Sequence, residues 1–98
     1  MALNERLYVV VYDISDQRRW RHVFRIMKGY GAWLQLSVFQ CRLTPGRQQE
    51  MAMKLERAIH HHDDHLLILD LGPAEKAELR VESLGRSFQK LERKPLIV

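Results

Sequence analysis

The sequence is poor in the residues that announce chemistry on their own. It has one cysteine, Cys41. A single thiol closes no intramolecular disulfide and builds no cysteine zinc cage, which suits a reducing, cytoplasmic compartment. There is no phosphate-cradling glycine loop and no Gly-x-Ser-x-Gly elbow, so the usual nucleotide-binding and serine-hydrolase motifs are absent. Repeats, Pro/Gly-rich linkers and low-complexity tracts are missing too, and the 98 residues read as one domain, 1–98. A domain of this size is only modestly stable alone, and association would help it. Long apolar runs are also lacking. Leu7–Tyr12 is stopped by Asp13, too soon for a signal-peptide core or a bilayer span, so no membrane partner is expected.

What the chain does have is a local excess of positive charge. Residues 1–50 hold eight Lys/Arg against four Asp/Glu, whereas residues 51–98 hold eight of each. Most of the excess lies between Arg18 and Lys28. Such a stripe fits a phosphate partner, although a solvated helix face has the same composition.

The pattern along the chain is mixed α and β. Leu7–Tyr12 is β-branched, aromatic and apolar throughout, as in a central strand covered on both faces. Ser15 or Asp16 can cap a following helix. Trp20, Val23, Phe24 and Met27 form its apolar face, and Arg18, Arg21, Arg25 and Lys28 a separate basic stripe. Gly29-Tyr30-Gly31 should end it, with either glycine free to take a left-handed cap. Trp33–Leu43 reads as a second strand whose alternation breaks at Phe39, at a bulge or a second buried patch. Thr44-Pro45 starts a second helix carrying Met51, Leu55, Ala58, Ile59 and His62. Asp63-Asp64 is a turn, Leu66–Leu71 another apolar strand, Ala74–Leu79 a loop or short helix, and Arg80–Leu84 an alternating edge strand.

These elements suggest an α+β ferredoxin-like sandwich, two helices on one face of an antiparallel-dominated sheet. The pattern alone leaves the strand connectivity after Gly31 open. Both faces of Leu7–Tyr12 are apolar, yet two helices cover only one. No segment is left for the other, so a second copy packing sheet to sheet is the expected cover.

Asp13 is the main candidate for chemistry: a carboxylate at the carboxyl end of a buried strand, beside a helix start. An aspartate there also serves as a plain turn residue. Phosphodiester hydrolysis commonly uses a divalent ion, and Mg²⁺ takes one or two carboxylates plus waters. One chain offers Asp13, with Asp16 and Asp70 as weaker neighbours; a two-fold dimer would supply a second Asp13. His60-His61-His62-Asp63-Asp64-His65 looks like a metal cluster. Consecutive side chains diverge, however, and histidines at a helix end favour the dipole, so a structural role is the expectation.

Three segments in series resemble the CRISPR-associated protein two family: Tyr8-Val9-Val10-Val11-Tyr12-Asp13-Ile14-Ser15-Asp16, the arginine-rich helix ending Gly29-Tyr30-Gly31, and Leu34-Gln35-Leu36-Ser37-Val38-Phe39-Gln40-Cys41. The resemblance implies a ferredoxin-like β-α-β-β-α-β fold, with the segment after Gly31 split into a pair of strands. It also implies a homodimer and a metal-dependent endonuclease of single-stranded RNA or double-stranded DNA, with Mg²⁺, or Mn²⁺, as the ion. By the same resemblance Asp13 matches the metal-binding aspartate and Arg18, Arg19 and Arg21 the start of the basic helix; with Arg25 on or near the same stripe, these four are the expected nucleic-acid contacts. Tyr12 falls in the Tyr-Asp-Ile strand signature and Ser37 and Phe39 in the second-strand motif, as structural or site-supporting residues. The family pattern has Glu where this chain has Gln40. Leu96-Ile97-Val98 resembles a tail strand that joins the partner subunit's sheet. Family members also bridge dimers of the CRISPR-associated integrase during spacer acquisition. A scaffold without catalysis, a related toxin endoribonuclease and a plain RNA-binding module are the competing readings.

Overall fold

Strand β1 (Arg6–Asp13) forms where the apolar run predicts it, with Leu7, Tyr8, Val9, Val10 and Tyr12 all buried. The computed structural model describes residues 4–85. Around β1 stand α1 (Gln17–Lys28), β2 (Ala32–Gln35), β3 (Val38–Leu43), α2 (Pro45–Ala58) and β4 (His65–Pro73). The sheet order is β2-β3-β1-β4 and every pairing is antiparallel. This is the β-α-β-β-α-β ferredoxin-like arrangement. Among the described residues no helix is long and apolar enough to cross a membrane.

The helices start as their caps dictate. Asp16 Oδ2 accepts from the Arg19 amide at 2.9 Å, and Thr44 Oγ1 from the Arg47 amide at 3.2 Å ahead of Pro45. Val23 and Met27 of α1, with Met51 and Leu55 of α2, bury against Tyr8, Val10, Phe39 and Cys41 on one sheet face. Cys41 is fully enclosed, and burial pushes its thiol up to about 12.

Several sequence expectations need correction. Trp33–Leu43 is not one strand: the chain reverses at Leu36–Ser37, which is why the alternation breaks at Phe39. Leu36 takes φ 29°, a position a hairpin usually gives to glycine. The turn is held by Trp33 Nε1 donating to Leu36 O (3.1 Å) and Trp20 Nε1 donating to Ser37 Oγ (2.8 Å). Neither Gly29 nor Gly31 is left-handed. Gly31 serves close approach instead, since a Cβ there would collide with Gln40 O and Cys41 Sγ. Helix α2 stops at Ala58, before Ile59 and His62, because the Asp64 carboxylate accepts from the His60 amide (2.8 Å) and turns the chain. Arg80–Leu84 alternates but pairs with no strand among the described residues. The tail Leu96–Val98 lies outside the described residues.

The second sheet face is partly covered by the chain itself. Ala74 donates its amide to Glu5 O at 2.8 Å, and Ala74–Leu79 folds over the Leu7 end of β1. On its β4 side Leu67, Leu69 and Leu71 are 45%, 44% and 42% exposed. The expected need for an outside cover therefore applies to the β4 side and the Asp13 end.

Candidate metal and nucleic-acid site

Asp13 is the last residue of β1 and is exposed. Strand alternation puts it with Val9 and Val11 on the face away from the helices. Across β4 the register pairs Val9 with Leu69, Val11 with Leu67 and Asp13 with His65. Among the described residues Asp13 makes no side-chain hydrogen bond or ion pair.

The preceding residue anchors the strand end from the other face. The Tyr12 ring stacks on Phe39 (centroids 6.4 Å, planes 22° apart) and lies 6.3 Å from Trp20. Its amide donates to Ser37 O at 3.1 Å. Burial raises the Tyr12 phenol, whose hydroxyl finds no partner among the described residues. A neutral, enclosed tyrosine is fit for packing rather than proton transfer. Tyr12, Ser37, Phe39 and Trp20 thus come together under the strand end and fix where Asp13 leaves it.

Beyond Asp13 the chain is held by a second aspartate, one that the sequence pattern marks only as a turn residue. The Asp64 side chain is fully buried. It accepts from Arg19 Nε (2.8 Å) and Nη2 (3.2 Å), the Ser15 amide (3.1 Å), Ser15 Oγ (3.3 Å) and the His60 amide (2.8 Å). The Arg19 hydrogen bonds hold its carboxyl well below the usual range; burial opposes this, and the His60 and Ser15 amides reinforce it. Asp64 therefore ties the β1–α1 loop to the α2–β4 turn. No local signal marks it, because Ser15 and Arg19 lie 49 and 45 positions away.

The arginines separate in role. Arg18, Arg21 and Arg25 are exposed along α1, whereas Arg19 is half-buried and committed to Asp64. Lys28 folds over the Phe24 ring, 5.3 Å from its centroid. The histidine run also separates. His60 Nδ1 accepts from the His62 and Asp63 amides, and His61 Nε2 meets Glu56 O, while His65 stands opposite Asp13.

As to a metal ion, no three or more His, Cys, Asp or Glu side chains gather in ion-holding geometry among the described residues. Mg²⁺ that keeps most of its waters takes only one or two carboxylates. Asp13, exposed and without a side-chain partner among the described residues, is of the kind that could serve as one of them.

A family model, CRISPR associated protein Cas2, matches residues 6–78. The chain is 60% identical over 94 residues to the CRISPR-associated endoribonuclease Cas2 1 of Rhodospirillum rubrum, covering 96% of this chain and 92% of that one. It is 51% identical over 94 residues to the CRISPR-associated endoribonuclease Cas2 of Geobacter sulfurreducens, covering 96% and 99%. Among solved structures it resembles Streptococcus pyogenes Cas2, with TM-score 0.71, 31% identity and 81% and 99% of the two chains covered. A hypothetical protein from Thermus thermophilus is similar, with TM-score 0.73, 29% identity and 87% and 99% covered. With the ferredoxin-like fold, the strand ending in Tyr12-Asp13 and these matches in agreement, the chain belongs to the CRISPR-associated Cas2 family.

Proposed function

We propose that this protein is a metal-dependent endonuclease of CRISPR spacer acquisition, acting as a cytoplasmic homodimer. The observation that carries this reading is Asp13, an exposed carboxylate with no partner among the described residues, at the end of a tightly anchored strand. It lies on the same sheet face as exposed Leu67 and Leu69. A copy packed on that face would bury the leucines and bring two Asp13 carboxylates toward one axis. The names of the two relatives favour RNA as the substrate class.

In this reading each residue has one task. Mg²⁺ or Mn²⁺, when bound, would lower the pKa of water and offset charge developing on phosphate. Asp13 from each copy would hold the ion. Tyr12, Phe39 and Ser37 keep the strand end rigid, so that the two carboxylates meet at a fixed separation. Arg18, Arg21 and Arg25 bind backbone phosphates without reading bases. Arg19 serves the site indirectly, through Asp64.

The test is cleavage of single-stranded RNA and of duplex DNA, with Mg²⁺ and with EDTA, by wild type and Asp13→Asn. Cleavage should need the ion and vanish in Asp13→Asn, with the dimer intact by light scattering. Wild-type speed in Asp13→Asn would reject the site. A monomer near 11.7 kDa at every concentration would reject the dimer. One observation favours a second reading: among the described residues no three or more metal-ligating side chains gather, while Arg18, Arg21 and Arg25 stand exposed for phosphate. A dimer that never cleaves yet bridges DNA to the CRISPR-associated integrase would make the protein a scaffold.

A further inference from the structure

His65 lies apart from the histidines that precede it in sequence. Those sit in the α2–β4 turn, where His60 is engaged by backbone amides. His65 opens β4 and is the register partner of Asp13. Residues directly opposed in an antiparallel pair have Cβ atoms about 4.5–5.5 Å apart, with side chains on one face. Both residues are exposed, and among the described residues neither side chain makes a hydrogen bond or ion pair. A carboxylate oxygen and an imidazole nitrogen on neighbouring strands can thus reach one ion between them.

We propose that His65 is a second donor at the Asp13 site, and that it tilts the site from Mg²⁺ toward a first-row transition ion. This rests on the reading that Asp13 holds a divalent ion. The chemistry follows from the donor set. Magnesium is hard, prefers oxygen and gives up water reluctantly. Imidazole nitrogen adds little for magnesium but binds first-row ions well, increasingly so from Mn²⁺ towards Cu²⁺. A site of carboxylates alone shows little of this discrimination. One imidazole from each copy would make two carboxylates and two nitrogens around the axis.

The experiment uses Co²⁺ alone and Mg²⁺ alone, titrated calorimetrically into the full chain in a His61→Ala/His62→Ala background. That background removes exposed histidines which would take up cobalt by themselves. Co²⁺ should bind about tenfold or more tighter than Mg²⁺. Adding His65→Ala should weaken Co²⁺ about tenfold or more, as loss of a metal-site residue commonly does, and leave Mg²⁺ within about twofold. Adding Asp13→Asn should weaken both ions. His65→Gln, with circular dichroism on every variant, guards against a folding defect and should behave like His65→Ala. Co²⁺ affinity indifferent to both His65 variants overturns the proposal, as does failure of the background protein to bind Co²⁺. Cleavage that needs Asp13 alongside such indifference spares the nuclease reading. Co²⁺ binding that needs both residues in a protein that never cleaves spares this inference and removes the nuclease.

Discussion

Asp13 and Asp64 stand at the same end of the sheet and differ in almost everything else. Asp64 is buried and receives hydrogen bonds from Arg19, Ser15 and His60. Asp13 is exposed and, among the described residues, receives none. A carboxylate whose oxygens are saturated has no lone pairs left for an ion, and its removal orphans its donors. A carboxylate left open costs the fold nothing to change. The structure has thus used one residue type as a fastener and left it open as the proposed ligand, and substitutions should separate the two roles.

The largest effect should come from Asp13→Asn: cleavage falls to background, while the urea midpoint of unfolding stays within error of wild type. Asp64→Ala should invert the pattern in stability, losing about 2–4 kcal/mol because a buried anion's donors are left unmatched. Urea denaturation of the two variants side by side checks the contrast. Equal losses at both positions would erase it.

A pH series sharpens the same comparison. The folded-state carboxyl of Asp64 is held below its usual range, so ionised Asp64 favours the native state above the unfolded-state value. That contribution should fade as pH falls below about 4 towards the folded-state value. Between pH 5 and pH 3, wild type should therefore lose more stability than Asp64→Asn. Asp70, lowered chiefly by the Gly72 amide, and Glu50, lowered chiefly by Tyr30, are common to both proteins and cancel in the difference.

The smallest effect concerns the arginines. Replacing Arg18 or Arg21 with Ala should reduce the slope of log affinity against log salt by about 0.7–0.9 for each phosphate that the variant no longer neutralises. Arg19→Ala should leave that slope nearer wild type and lower the urea midpoint instead, because its guanidinium is engaged by Asp64. Filter binding at several salt concentrations, with one denaturation curve for each variant, measures both.

What can be read from the chain is what is local in sequence. The apolar run of β1, the two-faced periodicity of α1 and the Thr44-Pro45 start each need only a few neighbouring residues, and each appears as expected. The β2–β3 reversal is hidden because its turn uses Leu36 and Ser37 where glycine, asparagine or aspartate would give the signal. Arg80–Leu84 misleads in the opposite sense: alternation marks what a strand requires, yet among the described residues no strand pairs with it. For the site, Asp13 stands out as the residue that ends an apolar run. Asp64 does not, since its meaning depends on Arg19 and Ser15, which only the folded topology brings near. The pairing of His65 with Asp13 is a matter of register, which no single segment encodes.

The enclosure of Cys41 has a practical consequence at the bench. A thiol fully buried beneath the helices, with its ionisation pushed up to about 12, is almost wholly protonated at neutral pH and out of reach of maleimides. The wild-type chain is therefore chemically blank for thiol labelling while it stays folded. Leu67→Cys or Arg18→Cys would place a single reactive handle on the β4 side of the sheet or the basic stripe. A fluorophore or spin label attached there would report on subunit pairing or on nucleic-acid docking, with no need to remove the native cysteine first.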